Sequence, residues 1–303
     1  MKKPLFSIII PTYNRPERLT KCIQSLTRLE YPHDDFEVIV VDDGSSQPLD
    51  DVVAIFTTQI NLTIIRQANS GPASARNRGA KSAQGKYLVF TDDDCTIAPE
   101  YLTKLKISLD KTPNVMIGGR TLNALSDNLY SSASQILIDY LYEYYNTNSS
   151  QPNFFASNNF ALPAEIFNSL GGFDTNFPLA AGEDREFCDR FLHHSYKMVY
   201  VPEIQVYHAH QLSLTKFWRQ HFNYGCGAFY FHSLRAFRSD KEIKVEPISF
   251  YFRLLTHPLR QQSNQPGLIL SLLLFVSQVA NVAGFFYCKI KQELFVWMQY
   301  KSG

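Results

Sequence analysis

The sequence predicts an α/β protein: a mostly parallel sheet flanked by helices, with a helical, apolar C-terminal extension. Three observations carry this. Unbroken β-branched runs, "FSIIIP" and "FEVIVVDD", mark strands covered on both faces. Stretches with helical apolar spacing separate such runs over the first third of the chain. The composition, 45% hydrophobic and 19% charged in 303 residues, is that of a chain that buries a real core and is not disordered.

"FSIIIP" is the first strand. "MKKPLF" superficially resembles the start of a signal peptide, but the apolar run is short, and Pro11, Asn14 and Arg15 end it without a small-residue cleavage pattern. A helix follows, with Pro16 near its start and Leu19, Cys22, Ile23 and Leu26 on one face. "FEVIVVDDGSS" is a second strand ending in a turn, "LTIIRQANSGP" a third, "PASARNRGAKSA" a helix and "KYLVFTDDD" a fourth strand. The Ser/Asn-rich stretch Asn146 to Asn153 reads as a mobile loop. Phe187, Phe191 and Leu192 form an apolar stripe, so a helix begins near Glu183. "VPEIQVYHAHQLS" alternates as a strand, which places His208 and His210 on one face.

In open α/β sheets ligands bind beyond the carboxyl ends of the strands. Three clusters fall there: "PTYNR", "DDGSS" and "TDDDC". Each alone is turn chemistry. Their coincidence on one edge favours a composite site. Three consecutive acids need water around them, or a divalent cation with an anionic ligand on its far side.

The segments "SIIIPTYNRPERL", "VIVVDDGSS", "NSGPASARNRGA", "YLVFTDDD" and "GEDREFCDRF", in this order, resemble the family 2 glycosyltransferases over about residues 5–215. The resemblance implies a GT-A fold and transfer of a sugar from a nucleotide diphosphate donor, a UDP-sugar favoured, with inversion. It implies a divalent cation, Mn²⁺ or Mg²⁺, held by Asp94, with Asp92 on the ribose or in the metal shell and Asp93 on the nucleotide side or in the turn. It places Pro11, Thr12, Tyr13, Arg15, Asp42, Asp43, Arg76 and Asn77 at the nucleotide, Tyr13 stacked on the base and Asp43 accepting its N–H. Arg76 has the fork geometry that suits phosphate or an anchoring carboxylate. Asp184 is the implied base and Glu183 its neighbour, although acids at a helix start are also favourable for dipole reasons. His208 is the implied third metal ligand, with His210 in reserve; an imidazole suits Mn²⁺ more than Mg²⁺. Asn158, Asn159, Gly171 and Gly172 fall in the stretch that shapes the acceptor pocket.

The implied domains are a catalytic region 1–215, with a nucleotide half of about 1–120 and an acceptor half of about 120–215, then a basic, aromatic region 216–303. From Gln211 onward 11 Lys/Arg face 4 Asp/Glu, a balance of +7, which leaves −6 on the first 210 residues. A basic and apolar tail suits an anionic membrane surface better than nucleic acid. No charge lies between Arg260 and Lys289, and 267–288 is long enough to span a bilayer. Its polar residues, Ser271, Ser277, Gln278 and Asn281, share one side. That suits an interfacial helix, a spanning helix packed on another, or a core helix. The expected location is the cytoplasmic face of the membrane, because nucleotide sugars are cytosolic, and the expected acceptor is a carbohydrate or is lipid-linked. Five scattered cysteines, with no CxxC pair, argue against a disulfide framework and structural zinc, and for a reducing compartment.

Two rival functions are weaker. A sugar nucleotidyltransferase would resemble a glycine-rich loop where this chain has "PTYNRP". A non-catalytic nucleotide-sugar binder would be expected to have lost acids, yet Asp43, Asp92, Asp94 and Asp184 are present. "FWRQHFNYG" lacks the Gln-x-x-Arg-Trp motif of processive synthases, which favours single addition.

Overall fold

A computed structural model describes residues 3–147, 151–177, 181–239, 246–260 and 265–302. In chain order the elements are β1 (Phe6–Thr12), α1 (Pro16–Leu26), β2 (Phe36–Asp42), α2 (Asp50–Ala54), β3 (Leu62–Arg66) and α3 (Pro72–Ser82). Then come β4 (Tyr87–Phe90), β5 (Cys95–Ile97), α4 (Tyr101–Lys111), β6 (Val115–Asn123), α5 (Leu129–Tyr142), β7 (Phe160–Pro163) and α6 (Ala164–Ser169). The last are α7 (Glu183–His193), β8 (Lys197–His208), α8 (Leu214–Ser239), α9 (Ile248–Thr256) and α10 (Gly267–Ser302).

The chain divides into two compact units. One comprises Met1–Ala124, Tyr144–Thr175 and Phe187–Ala209; the other comprises Leu125–Glu143, Asn176–Glu186 and His210–Gly303. The first holds an eight-stranded sheet in the order β3-β2-β1-β4-β7-β6-β8-β5. Strands β3, β2, β1 and β4 are mutually parallel, as expected. The other half is mixed: β7 is antiparallel to β4 and β6, β6 is parallel to β8, and β5 is antiparallel to β8. Parallel strands need crossover helices, which the alternating first part of the chain supplies.

Every residue of β1 and β2 is buried, which is why both read as unbroken apolar runs. Helix α1 buries the predicted face, Leu19, Cys22, Ile23 and Leu26. Helix α3 lies close to the sheet: a Cβ on Gly79 would stand 2.6 Å from Ile9 Cγ2. Phe90, Phe160, Phe167, Phe173 and Phe187 form one ring cluster, with contacting centroids 5.2–6.3 Å apart. Of the expected loop 146–153, residues 148–150 lie outside the described residues. Asn146 is instead buried, and its amide donates to Phe154 O at 2.7 Å.

In the second unit α8 and α10 cross tightly. A Cβ on Gly225 would fall 1.9 Å from Asn281 O, and one on Gly284 1.9 Å from Phe222 O. At this crossing Cys226 and Cys288, separated by 62 residues, form a disulfide. This corrects the expectation that the scattered cysteines form no disulfide, and with it their argument for a reducing compartment. The pair is made by helix packing, which sequence spacing does not reveal. Cys22, Cys95 and Cys188 are free and buried. On α10 Ser277 is fully buried, whereas Leu268, Leu272, Phe275, Val279, Val282 and Phe286 are exposed. The helix also buries Leu270, Leu273, Leu274 and Ala280, so it is apolar both toward the protein and outward, unlike a soluble surface helix with a polar outer face.

Candidate functional site

The site begins where β4 ends. The last β1–β4 pair is Ile9↔Phe90, so β1 runs on past β4 through Pro11 and Thr12, paired there with β2. Ile9 O accepts from Thr91 N, and Pro11, two residues on, faces the same side. Its missing N–H costs no ladder bond because β4 has stopped there. The β1 loop and the three acids after β4 meet at this point, where the strand order reverses direction.

Each acid has its own partners. Asp92 Oδ1 accepts from Arg76 Nη2 at 2.7 Å. Asp93 is buried, accepting from Thr12 Oγ1 at 2.8 Å and Arg15 Nη1 at 3.0 Å. Asp94 accepts from Arg18 Nη1 at 2.9 Å and Arg15 Nη1 at 3.4 Å, and its Oδ1 lies 3.0 Å from His208 Nε2. Burial pushes the Asp93 carboxyl up to about 6; Arg15 pulls it back, and the Asp94 charge raises it further. Burial lowers the His208 pKa, but the charge and hydrogen bond of Asp94 outweigh it, so the net shift is upward. Arg18 is a site residue the sequence reading missed. Its signal was a second arginine three positions after Arg15, one helical turn on.

The "DDGSS" turn shapes the opposite wall. Asp43 Oδ1 accepts from Gln67 Nε2 at 2.8 Å and Ser70 N at 2.9 Å, and its Oδ2 from Gly71 N at 2.8 Å. It thereby fixes the loop leading into α3, and about one of the four lone-pair positions of a carboxylate remains. Asp42 is buried, accepts from Ser45 N at 2.9 Å, and lies 3.8 Å from Arg66 Nε. Tyr13 is 47% exposed beside this turn. Asn14 adopts φ 56°, a region Asn tolerates, and its side chain accepts from Ser46 N at 2.8 Å.

Several expected contact residues have structural duties instead. Pro11 is buried in β1, and the Thr12 hydroxyl is engaged by Asp93, so neither presents its side chain to a nucleotide. Asn77 pairs with the Phe173 backbone in both directions at 2.8 Å, holding the Gly171–Gly172 turn. Those glycines have φ 81° and 73°, and Arg190 donates to Gly172 O at 2.7 Å and to Leu170 O. Asn159 is fully buried, accepting from Tyr101 OH at 3.0 Å and donating to Arg120 O and Ile204 O. It is a core residue, not an acceptor contact. Asn158 accepts from Thr121 Oγ1 at 3.1 Å and stands 3.4 Å from His208 Nδ1, so it orients that ring. Strand β8 ends at His208, so His210 does not share its face, contrary to the alternation expected. Glu183 and Asp184 open α7, inside the second unit. Glu183 is buried, and Asp184 Oδ1 accepts from Arg185 N at 2.7 Å.

The model of the family described as "Glycosyl transferase family 2" matches residues 7–171, more than half of the chain. The chain belongs to glycosyl transferase family 2. Among similar proteins, the family 2 member is 35% identical over 118 residues to the glycosyltransferase AglE of Haloferax volcanii, which is 38% of this chain and 39% of that protein. It is 35% identical over 108 residues to the poly(ribitol-phosphate) β-N-acetylglucosaminyltransferase TarS of Staphylococcus aureus, 35% of this chain and 19% of TarS. The aligned part thus spans well under half the length of these relatives. Among solved structures it resembles a mannosyltransferase from Pyrobaculum calidifontis in complex with GDP-Man and Mn²⁺, with TM-score 0.62 and 17% identity, covering 100% of this chain and 83% of that one. It also resembles S. aureus TarS 1–349 in complex with UDP-GlcNAc, with TM-score 0.55 and 16% identity, covering 95% and 91%. These likenesses identify a GT-A fold.

The residues present fit a divalent cation. Among the described residues, ligand atoms of Asp94, Cys95 and His208 lie within 4.8 Å of one another. A carboxylate oxygen and an imidazole nitrogen are both common ligands of divalent cations. Cys95 is less apt: burial, and then the charges of Asp92 and Asp94, hold its thiol well above the usual range. Asp92 stands outside this cluster and pairs with Arg76.

Proposed function

We propose that the protein is an inverting glycosyltransferase that moves a sugar from a nucleotide diphosphate donor to an acceptor hydroxyl in single additions, in cell-envelope glycan or glycolipid synthesis. The observation that carries this is the acid cluster after β4, set among Arg15, Arg18 and Arg76 and touching His208. Asp94 and His208 are the groups that would hold Mn²⁺ or Mg²⁺. A divalent cation, when bound there, would supply charge stabilisation for a departing diphosphate. Arg15, Arg18 and Arg76 offer cationic hydrogen-bond donors to phosphate oxygens. Tyr13 offers a ring face to the base, with Asp42 and Asp43 holding the turn beneath it. Asp184 takes the acceptor hydroxyl proton as that oxygen attacks the anomeric carbon. The anomeric C–O bond to the diphosphate breaks, its electron pair leaves with the nucleotide, and the configuration inverts. Glu183 orients this exchange.

The donor is tested by a thermal-shift panel of nucleoside diphosphates and their sugars, with Mn²⁺. A UDP-sugar is expected to give the largest upward shift, and release of UDP is expected only with an acceptor present. No shift with any nucleotide sugar would sink the reading.

We also propose that the region 216–303 attaches the catalytic region 1–215 to the cytosolic face of a membrane. Among the described residues, Gly267–Leu294 is a helix long and apolar enough to cross a bilayer, and its exposed residues up to Tyr287 are apolar or aromatic. Full-length protein is expected to float with anionic phospholipid vesicles. Joint replacement of Leu272 and Phe275 by Asp is expected to weaken this by about tenfold or more, given about 1.5–3 kcal/mol per large apolar side chain. Wild-type protein that stays unbound without detergent would remove the attachment.

A further inference from the structure

The acids assigned to proton transfer need rigid support, and in the second unit that support comes from one face of α8. Gly227, Tyr230, Phe231, Arg235 and Arg238 recur at helical spacing along this face, over about 16 Å at about 1.5 Å per residue. Each meets the segment from Phe177 to Glu186, or braces a residue that does. A Cβ on Gly227 would stand 2.2 Å from Ala181 O and 2.6 Å from Ala181 C, so the backbone before Glu183 rests directly on this glycine. Gly182 itself has φ 94°, and a Cβ there would meet Gly227 C and O at 3.0 Å. The two glycines therefore allow two backbones to touch where side chains would hold them apart. One ring pair, Phe177–Tyr230, has centroids 6.3 Å apart. Arg185 Cζ lies 4.6 Å above the Phe231 ring, with Arg235 Cζ 5.9 Å from the same ring. Arg238 pairs with the buried carboxylate of Glu186.

We propose that this face of α8 is the positioning platform of the Glu183–Asp184 pair, with Gly227 and Arg238 as its two principal contacts. The proposal rests on the reading of Asp184 as the base. Gly227 sets the height of the turn at Ala181 and Gly182. Arg238 anchors the first turn of α7 through Glu186, two residues beyond Asp184. Neither residue touches substrate. Their effect is on where the Asp184 carboxylate stands, and misplacement of a reacting group by about 1 Å is enough to cost about 10²-fold in rate. A side chain at Gly227 forces a shift of that kind, because the atoms it meets are backbone and cannot rotate away.

The test uses full-length Gly227→Ala, Arg238→Gln and Arg238→Lys, with steady-state kinetics in both substrates. For Gly227→Ala, kcat is expected to fall about ten- to a hundredfold, with KM for the donor within about twofold of wild type. Arg238→Gln is expected to lower kcat in the same way, and Arg238→Lys to recover part of it by keeping the charge beside Glu186. Arg238→Gln serves where Gly227→Ala does not fold. Parallel loss of kcat and donor affinity would show a general structural role and overturn the proposal. Wild-type kcat in both Gly227→Ala and Arg238→Gln, with Asp184→Asn inactive, would overturn the platform alone. An active Asp184→Asn would instead overturn the base assignment.

Discussion

Replacement of Asp184 by Asn is expected to lower turnover by about 10²–10⁴-fold, the range supplied by a positioned general base. Asn has the same shape, and its side-chain oxygen can still accept from Arg185 N, the bond Asp184 makes at 2.7 Å. The first turn of α7 should therefore survive, and the thermal midpoint should stay within a few degrees of wild type. What is lost is the lone pair able to take a proton at neutral pH. Donor affinity, measured by calorimetry with a non-transferable nucleotide, is expected to be nearly unchanged, because Asp184 is assigned to the acceptor's proton. Turnover equal to wild type would remove Asp184 from the mechanism. A matching loss of nucleotide affinity would assign it to binding instead. Glu183, buried beside it, should behave differently. Its replacement by Gln keeps the size and is expected to cost less activity than Asp184→Asn.

Asp94→Asn carries the second large effect. Asp94 is buried and meets Arg18 at 2.9 Å, Arg15 at 3.4 Å and His208 at 3.0 Å. Removing its charge leaves three groups that favour an anion facing a neutral amide. The largest upward pull on the His208 pKa is lost, leaving burial to lower it against the smaller effect of the Asp92 charge. A cation site would lose its charged ligand. Replacing residues that merely support such ligands costs about 10–100-fold in metal affinity, so loss of a ligand is expected to cost about 10²-fold or more. Wild-type protein is expected to lose activity in chelator and regain it with Mn²⁺, whereas Asp94→Asn is expected to stay inactive at the same Mn²⁺ concentration. The Mn²⁺-induced thermal shift should also be present in wild type and absent in the variant, a readout independent of turnover. Full wild-type activity in excess chelator would exclude a required cation.

Legibility differed between the two halves of the sheet. β1, β2, β3 and β4 stand out because each is a short apolar run ending in turn chemistry, and their parallel pairing follows from the helices between them. In the mixed half only β8 stood out, as the alternating stretch "VPEIQVYHAHQLS". β5 has three residues and β7 four, too short for periodicity to register, and their partners lie far away in sequence. Within the site, residue type was a good guide at the acids and a poor one at the amides. A run of three carboxylates implies countercharge wherever it lies. An asparagine equally suits a ligand, a turn or a backbone clamp. Asn77, Asn158 and Asn159 show the ambiguity: one clamps Phe173, one orients His208, and one is sealed in the core.

The sequence by itself determined the strand-and-helix alternation, the edge on which the acids gather, the family resemblance and the apolar character of the tail. These are local properties, set by periodicity and by the order of chemical types along the chain. Tertiary structure alone decided which partner each acid takes, the pairing of Cys226 with Cys288, and which apolar residues of α10 stay exposed. Such choices depend on which surfaces distant segments bring into contact. Packing selects among side chains that local chemistry leaves equivalent, as when it gives Arg76 to Asp92 and Arg18 to Asp94.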